Sequence, residues 1–178
     1  MHHKTNNTSE INFDIRLLTI EDINQFRQLR LEGLLQNPEA YGSTHELESQ
    51  YPISKFEQRL AEDKDKIVIG AFIKERLIGS MTLIRESGMK ERHKANLYGV
   101  YLSKGYRGHG IAYEMLKSCH DLARSDWQIE QIRLAVVSTN TNAIKLYESL
   151  GYTTYGIEKN ALKHLGVYSD ETLMVKFF

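Results

Sequence analysis

The stretch Ser103-Lys104-Gly105-Tyr106-Arg107-Gly108-His109-Gly110-Ile111-Ala112 decides how this chain is read, because it joins an apolar run to a helical pattern. Before it, Ala95 to Leu102 (ANLYGVYL) reads as a strand. After it, Ile111, Met115, Leu116, Cys119, Leu122 and Ala123 recur at helical spacing. A helix start leaves several backbone N–H groups without partners in the helix itself. Glycines at 108 and 110 tolerate positive φ and carry no Cβ, so the backbone can curl those donors around a pyrophosphate beside the positive end of the helix dipole. Arg107 adds a local positive charge. For a lone Gly-x-Gly, the plainer reading is a tight turn. Two known phosphate loops are excluded. Ile111-Ala112 stand where a P-loop needs Lys-Ser or Lys-Thr, and Tyr113 stands where the dinucleotide fingerprint needs its third glycine.

Outward from this turn, the chain alternates strand and helix signals. Phe13 to Leu18 reads as a strand, and Thr19 with Asp22 approaches a capping box for a helix carrying Ile20, Ile23, Phe26, Leu31, Leu34 and Leu35 as its core face. Asn37-Pro38 stops it. Ser54 with Glu57 repeats the capping signature for a shorter, charged helix. Lys66 to Lys74 and Leu77 to Arg85 form a hairpin-like pair around Glu75-Arg76, followed by a polar loop from Glu86 to Lys94. Gln131 to Val137 reads as a buried strand, and Ala143 to Leu150 as a helix stopped by Gly151. Two strands, around Tyr152 to Glu158 and Thr172 to Phe178, close the chain. The order β, α, α, β, β, β, α, β, α, β, β predicts an α/β (α+β mixed) fold: a central, mostly antiparallel mixed sheet of about seven strands flanked by about four helices.

Composition sets the outer limits. The 178 residues, 41% hydrophobic and 26% charged, suffice for one packed core and predict a single domain over 11–178 behind a flexible polar tail, 1–10. His2 and His3, native or appended, belong to that tail. Twenty-three basic residues balance 23 acidic ones, so no general attraction to nucleic acid or an anionic membrane is expected. No run approaches the ~18 apolar residues of a membrane span. The lone Cys119, mid-helix on an apolar side, is expected to be a buried structural cysteine in a reducing, cytoplasmic setting. Of the seven histidines only His2-His3 lie close together, and no metal site is expected.

Arg107-Gly108-His109-Gly110-Ile111-Ala112 resembles the R/Q-x-x-G-x-G/A loop of the GNAT superfamily of acetyl-CoA-dependent N-acyltransferases. Asn140-Thr141-Asn142-Ala143-Ile144-Lys145-Leu146-Tyr147, then Gly151-Tyr152, is similar to that family's second signature, N-x-x-A-x-x-L-Y then G-F/Y. The element order resembles the family from about Phe13 onward, implying a GNAT-like acyl-CoA N-acyltransferase fold.

The resemblance implies that backbone amides of Arg107, Gly108, His109, Gly110, Ile111 and Ala112 hold the CoA pyrophosphate. It places Val100, Tyr101 and Leu102 along the pantetheine arm, with an amide offered to the thioester carbonyl, where an N–H donor stabilises an oxyanion. Asn140 resembles the residue that binds the cofactor arm through its side chain. Tyr147 corresponds to the tyrosine that protonates the departing CoA thiolate; on helical spacing alone, a core role would be the simpler reading. The implied reaction is direct transfer from acetyl-CoA to a primary amine, the acceptor being a small molecule or a protein N-terminus. Family members often carry a Glu on the strand before the loop, but Asn96-Leu97-Tyr98-Gly99-Val100 has no carboxylate, so the general base is unassigned. Glu86, Glu91 and His93, and likewise Glu46 and Glu48, read as solvated surface residues. The missing carboxylate motivates a rival reading, a non-catalytic CoA-binding regulatory or interaction module. A nucleotide-binding domain is a weaker third. The apolar C-terminal run Leu173, Val175, Phe177 and Phe178 suits an edge buried in a second copy, a homodimer.

Overall fold

Alternating apolar segments build one seven-stranded sheet in the computed structural model, which describes residues 11–178; the expected tail, with His2 and His3, lies outside the described residues. The strands are β1 (Asp14–Leu17), β2 (Lys66–Ile73), β3 (Arg76–Arg85), β4 (Lys94–Leu102), β5 (Gln131–Val137), β6 (Thr153–His164) and β7 (Val167–Phe177), in the spatial order β1-β2-β3-β4-β5-β7-β6. The helices are α1 (Ile23–Gln36), α2 (His45–Ser49), α3 (Ile53–Leu60), α4 (Ile111–Trp127) and α5 (Thr141–Ser149). Every neighbouring strand pair is antiparallel except β4 and β5. The mixed, mostly antiparallel sheet is the one expected. The additional helix, α2, arises in a loop-like segment where Thr44 Oγ1 accepts from Leu47 N at 3.3 Å.

Strand β2 is buried on both faces, which explains its unbroken apolar run. Ile69 and Ala71 join the core around Met115, Leu116 and Cys119 of α4, while Val68 and Phe72 join Phe26 and Leu29 of α1 and Phe56 and Leu60 of α3. Thr19 and Asp22 form the capping box, but over a short 3-10 turn, Ile20–Asp22, that precedes α1. That turn takes Ile20 out of the α-helical period and leaves it 51% exposed; Leu35, at 60%, falls one position past the buried row Phe26, Leu29, Gly33 and Leu34. The expected cap at Ser54 is absent. Helix α3 begins at Ile53 behind Pro52, whose fixed φ suits a helix entrance, and has no side-chain cap.

The C-terminal run is not an edge. Strand β7 lies between β5 and β6, so Leu173 and Val175 pair inside the sheet. The outer edge is β6, whose ladder with β7 is broken twice, between Thr154 and Gly156 and between Glu158 and Leu162.

Beside α1 the structure overturns one surface assignment. Glu48 of α2 is 1% exposed and accepts from Arg30 of α1 and Arg59 of α3, each at 2.8 Å. Burial opposes its ionisation, but hydrogen bonds and charge from both arginines outweigh it and hold its pKa at about 2. One carboxylate thus ties three helices together. Glu48→Ala should therefore destabilise the fold by about 3 kcal/mol in denaturant titration, since it strands two arginines that stay partly hydrated. Because the folded pKa is depressed, the stabilisation from Glu48 is present above its ordinary pKa and lost as pH falls toward about 2. In an acid titration, Glu48→Gln should remove that part of the stability loss.

Candidate active site

Strands β4 and β5 pair in only three rows, Lys94 to Asn96 against Gln131 to Arg133, and then part. The cause lies in β4. Tyr98 pairs with Thr82 and Tyr101 with Ser80, so Gly99 and Val100 together oppose Met81, a bulge whose Gly99 has φ +60°. Such an extra residue bends its strand and re-aims the residues beyond it. The last paired row is clasped by Glu86, which accepts from Asn96 Nδ2 at 2.8 Å and pairs closely with Arg133. Glu86 opens the loop expected for it, but its side chain is not left in solvent. Instead it spans the vertex of the split, while Glu91 stays outside with Lys94 at 3.4 Å, and the His93 carbonyl accepts from Glu130 and Gln131.

Past the vertex opens a cleft of about 1510 Å³. At its mouth the glycine turn leaves β4 and enters α4. Gly108 (φ +82°) and Gly110 (φ +77°) adopt the left-handed backbone that favours glycine, and a Cβ at either would meet nothing within 4 Å. Gly110 caps a 17-residue helix without any side-chain bond, so the first N–H groups of α4 are left for a ligand. The cradle is open, and it fits an anion.

The other expected site residues occupy distinct positions around this cleft. Arg107 lines it, but its guanidinium also ties the turn down, donating to Leu102 O at 2.9 Å and Asn37 Oδ1 at 3.1 Å. Gly108, Gly110 and Ala112 face the cleft, as do Val100, Tyr101 and Leu102. The His109 side chain is exposed, and that of Ile111 is buried in the α4 core. Tyr101 is buried, its hydroxyl donating to Glu32 at 2.9 Å. Asn140 caps α5, with Oδ1 accepting from Ala143 N at 3.2 Å, and also lines the cleft.

Tyr147 belongs to the core and the cleft at once. It is 6% exposed and packs edge-on against Tyr152 at 5.7 Å between ring centroids, yet it lines the cleft beside Ala143 and Leu146. Burial raises its pKa above the ordinary tyrosine value, so its phenol holds its proton at neutral pH. Behind it, the Tyr152 hydroxyl lies 2.9 Å from His120 Nε2; burial and the nearby Lys176 keep His120 neutral with a pKa of about 4. Cys119 is buried as expected, its thiol pushed up to about 12.

The far side of the cleft is aromatic and acidic. Tyr41, Tyr98 and Tyr155 line it with Leu162 and Glu171. Tyr41 is raised to about 12 by burial. Glu171 lies outside the strand expected from Thr172 onward and so carries no signal in the sequence; the strand in fact starts at Val167. A smaller depression of about 540 Å³, beside Leu17, Leu60 and Lys66, holds none of the motif residues. Among the described residues no group of His, Cys, Asp or Glu is arranged to hold a metal, and no helix is long and apolar enough to cross a membrane.

Comparison with known proteins agrees with this architecture. The family profile "Acetyltransferase (GNAT) domain" matches residues 15–173. Streptothricin acetyltransferase of Escherichia coli is 30% identical over 112 residues, 63% of this chain and 62% of that protein. The probable N-acetyltransferase YjcK of Bacillus subtilis is 25% identical over 124 residues, 68% of this chain and 67% of its own. Among solved structures, a ribosomal-protein-alanine N-acetyltransferase from Brucella melitensis superposes with a TM-score of 0.81 at 21% identity, covering 93% of this chain and 99% of that one. The yncA protein of Salmonella typhimurium, solved with acetyl-CoA, gives a TM-score of 0.77 at 19% identity, covering 93% and 94%. With the family profile covering both motifs and six of the seven strands almost entirely, ending within β7, the chain belongs to the GNAT acetyltransferases and is an acyltransferase enzyme.

Proposed function

We propose that residues 11–178 act as one catalytic domain that transfers the acetyl group of acetyl-CoA to a primary amine by direct attack. The observation that carries this reading is the open glycine cradle at the mouth of the β4–β5 split, with the protonated Tyr147 lining the same cleft. Backbone N–H groups of Arg107 to Ala112 hold the pyrophosphate, where the α4 dipole favours negative charge. Beyond Asn96, β4 has no β5 partner, so the backbone of Val100 to Leu102 is available to the pantetheine arm and one amide can meet the developing oxyanion. Asn140 holds the arm with its amide nitrogen while Oδ1 caps α5. Tyr147 gives its proton to the leaving sulfur, a role its raised pKa suits because the donor remains protonated throughout the neutral range.

A relative acts on streptothricin and a structural neighbour on a ribosomal-protein alanine, which supports a small-molecule amine or a protein N-terminus as acceptor. A cytoplasmic setting goes with this reading, supported by the lone, buried, unpaired Cys119. The rival, a CoA-binding module without turnover, is favoured by one observation: β4 presents no carboxylate to the cleft between Asn96 and Val100.

Calorimetric titration with acetyl-CoA, CoA and ATP separates the readings at the level of binding. Acetyl-CoA and CoA should bind and ATP should not; the reverse preference removes the acetyltransferase mechanism. Gly110→Ala puts a Cβ into the cradle and forces a non-glycine residue to positive φ, at a cost of about 1–2 kcal/mol, so acetyl-CoA affinity should fall about tenfold or more. Tyr147→Phe should bind acetyl-CoA as the parent does and lose about 100-fold or more in kcat. Unchanged kcat in that variant would take the acid role from Tyr147.

A further inference from the structure

One step of the proposed reaction still lacks a residue. An acceptor amine with a pKa near ~10.4 arrives as an ammonium and has no lone pair until it sheds a proton. The carboxylates near the cleft can be sorted by what already engages them. Glu48 is locked between Arg30 and Arg59, Glu86 between Arg133 and Asn96, and Glu32 accepts the Tyr101 hydroxyl. Each of these is neutralised or occupied, and Glu39, which also lines the cleft, is exposed to solvent.

Glu171 is not. It is half-buried on β7 and lines the cleft, and among the described residues its carboxylate makes no hydrogen bond or ion pair. Register sets it opposite Val137, the last residue of β5 before the turn into α5, the helix that carries Tyr147. The groups facing it offer no free cation. Glu158 lies across on β6, Val137 on β5 is uncharged, and Glu39 is exposed on a second 3-10 turn, Pro38–Ala40, packed against β5. Asp170 is taken by Lys159 and the Asn160 amide, and Arg107 by Leu102 and Asn37. Of the other cations lining the cleft, Arg30 and Arg59 are held by Glu48, Arg133 by Glu86, and Lys66 donates to Gln58 O; Tyr41, half-exposed Tyr98 (52%) and Tyr155 (56%) add phenols to the lining. A half-buried carboxylate with no countercharge, in a cleft lined with phenols, is a receptor for a cation.

We propose that Glu171 receives a cationic primary amine in the cleft and takes its proton, acting as the general base of the acetyl transfer. This rests on the acetyltransferase reading above. The ammonium gives one proton to Glu171, which passes it to solvent. The freed lone pair forms the C–N bond with the thioester carbon, and the C–S bond breaks with its electron pair on sulfur. Tyr147 protonates that sulfur, and the second proton lost from nitrogen replaces the one Tyr147 gave. The products are the amide, CoA thiol and one proton. Burial and the charge of Glu158 raise the Glu171 pKa above its ordinary value, in the direction a base working nearer neutrality needs.

The test is thiol release from acetyl-CoA with spermidine, streptothricin and an alanine-terminated peptide as acceptors, run beside acetyl-CoA calorimetry. At least one acceptor should be used by the parent. Glu171→Gln should bind acetyl-CoA unchanged, lose about 100-fold in kcat, and lose the limb of the pH profile that rises as Glu171 deprotonates. Glu158→Gln should keep turnover and move that limb to lower pH, since it removes a repelling charge. Parent-like kcat in Glu171→Gln, or an unmoved limb in Glu158→Gln, overturns the assignment. So does a parent protein that binds acetyl-CoA but acetylates none of the three amines. Failure of the parent to bind acetyl-CoA overturns the cofactor reading instead.

Discussion

Everything in this molecule that bears on chemistry depends on two parallel strands that pair for three rows and then separate. Parallel neighbours place their carboxyl ends side by side, and here each end feeds a helix: β4 through the glycine turn into α4, and β5 through Asn140 into α5. Ligands in open α/β sheets gather outside such strand ends, because helix N-termini and unsatisfied backbone converge there. The split is stabilised on both sides of its vertex. Glu86 grips Asn96 and Arg133 on one face, while Ala95, Leu97, Ile132 and Leu134 pack into the α4 core on the other. With the vertex fixed, the bulge at Gly99 and Val100 turns the rest of β4 aside, and the cleft is the space that remains.

The layer of α1 to α3 sets the opposite wall. Gly33 lets Tyr101 approach α1 closely, since a Cβ there would come within 3.2 Å of the ring. The tyrosine hydroxyl then reaches Glu32, and Arg107 stacks over the same ring at 5.6 Å while its head holds Asn37. The end of β4, the glycine turn and the end of α1 are therefore tied to one another. Glu48 plays the corresponding part further out, joining the five-residue α2 by charge to α1 and α3.

The sequence carried more of the fold than of the site. Strand and helix order, the buried Cys119, the capping box at Thr19 and the two glycine-bearing motifs were all legible, because each is a local signal of periodicity or turn chemistry. What escaped was long-range. Glu48 looks like any surface acid until Arg30 and Arg59, 18 and 11 positions away, are brought to it. Glu86 waits on Arg133, 47 positions on. Position in the sheet was hidden for the same reason: an apolar C-terminal strand reads as an edge, but β6 folds back outside it. Tyr147 shows the middle case, in which helical spacing suggests core, the motif suggests chemistry, and the structure gives one ring both surroundings.

That outer strand governs how the protein meets other copies of itself. An edge with a continuous ladder of unpaired N–H and C=O groups is a template on which another strand can add. The two register breaks in β6 interrupt that ladder, Asn160 turns to φ +54° within the second, and Lys159 and Lys163 stand along the same strand. An incoming strand finds only short runs in phase. Such an interrupted margin opposes growth of the sheet by strand addition, even though Tyr155, Ile157 and Val167 lie exposed on the same hairpin.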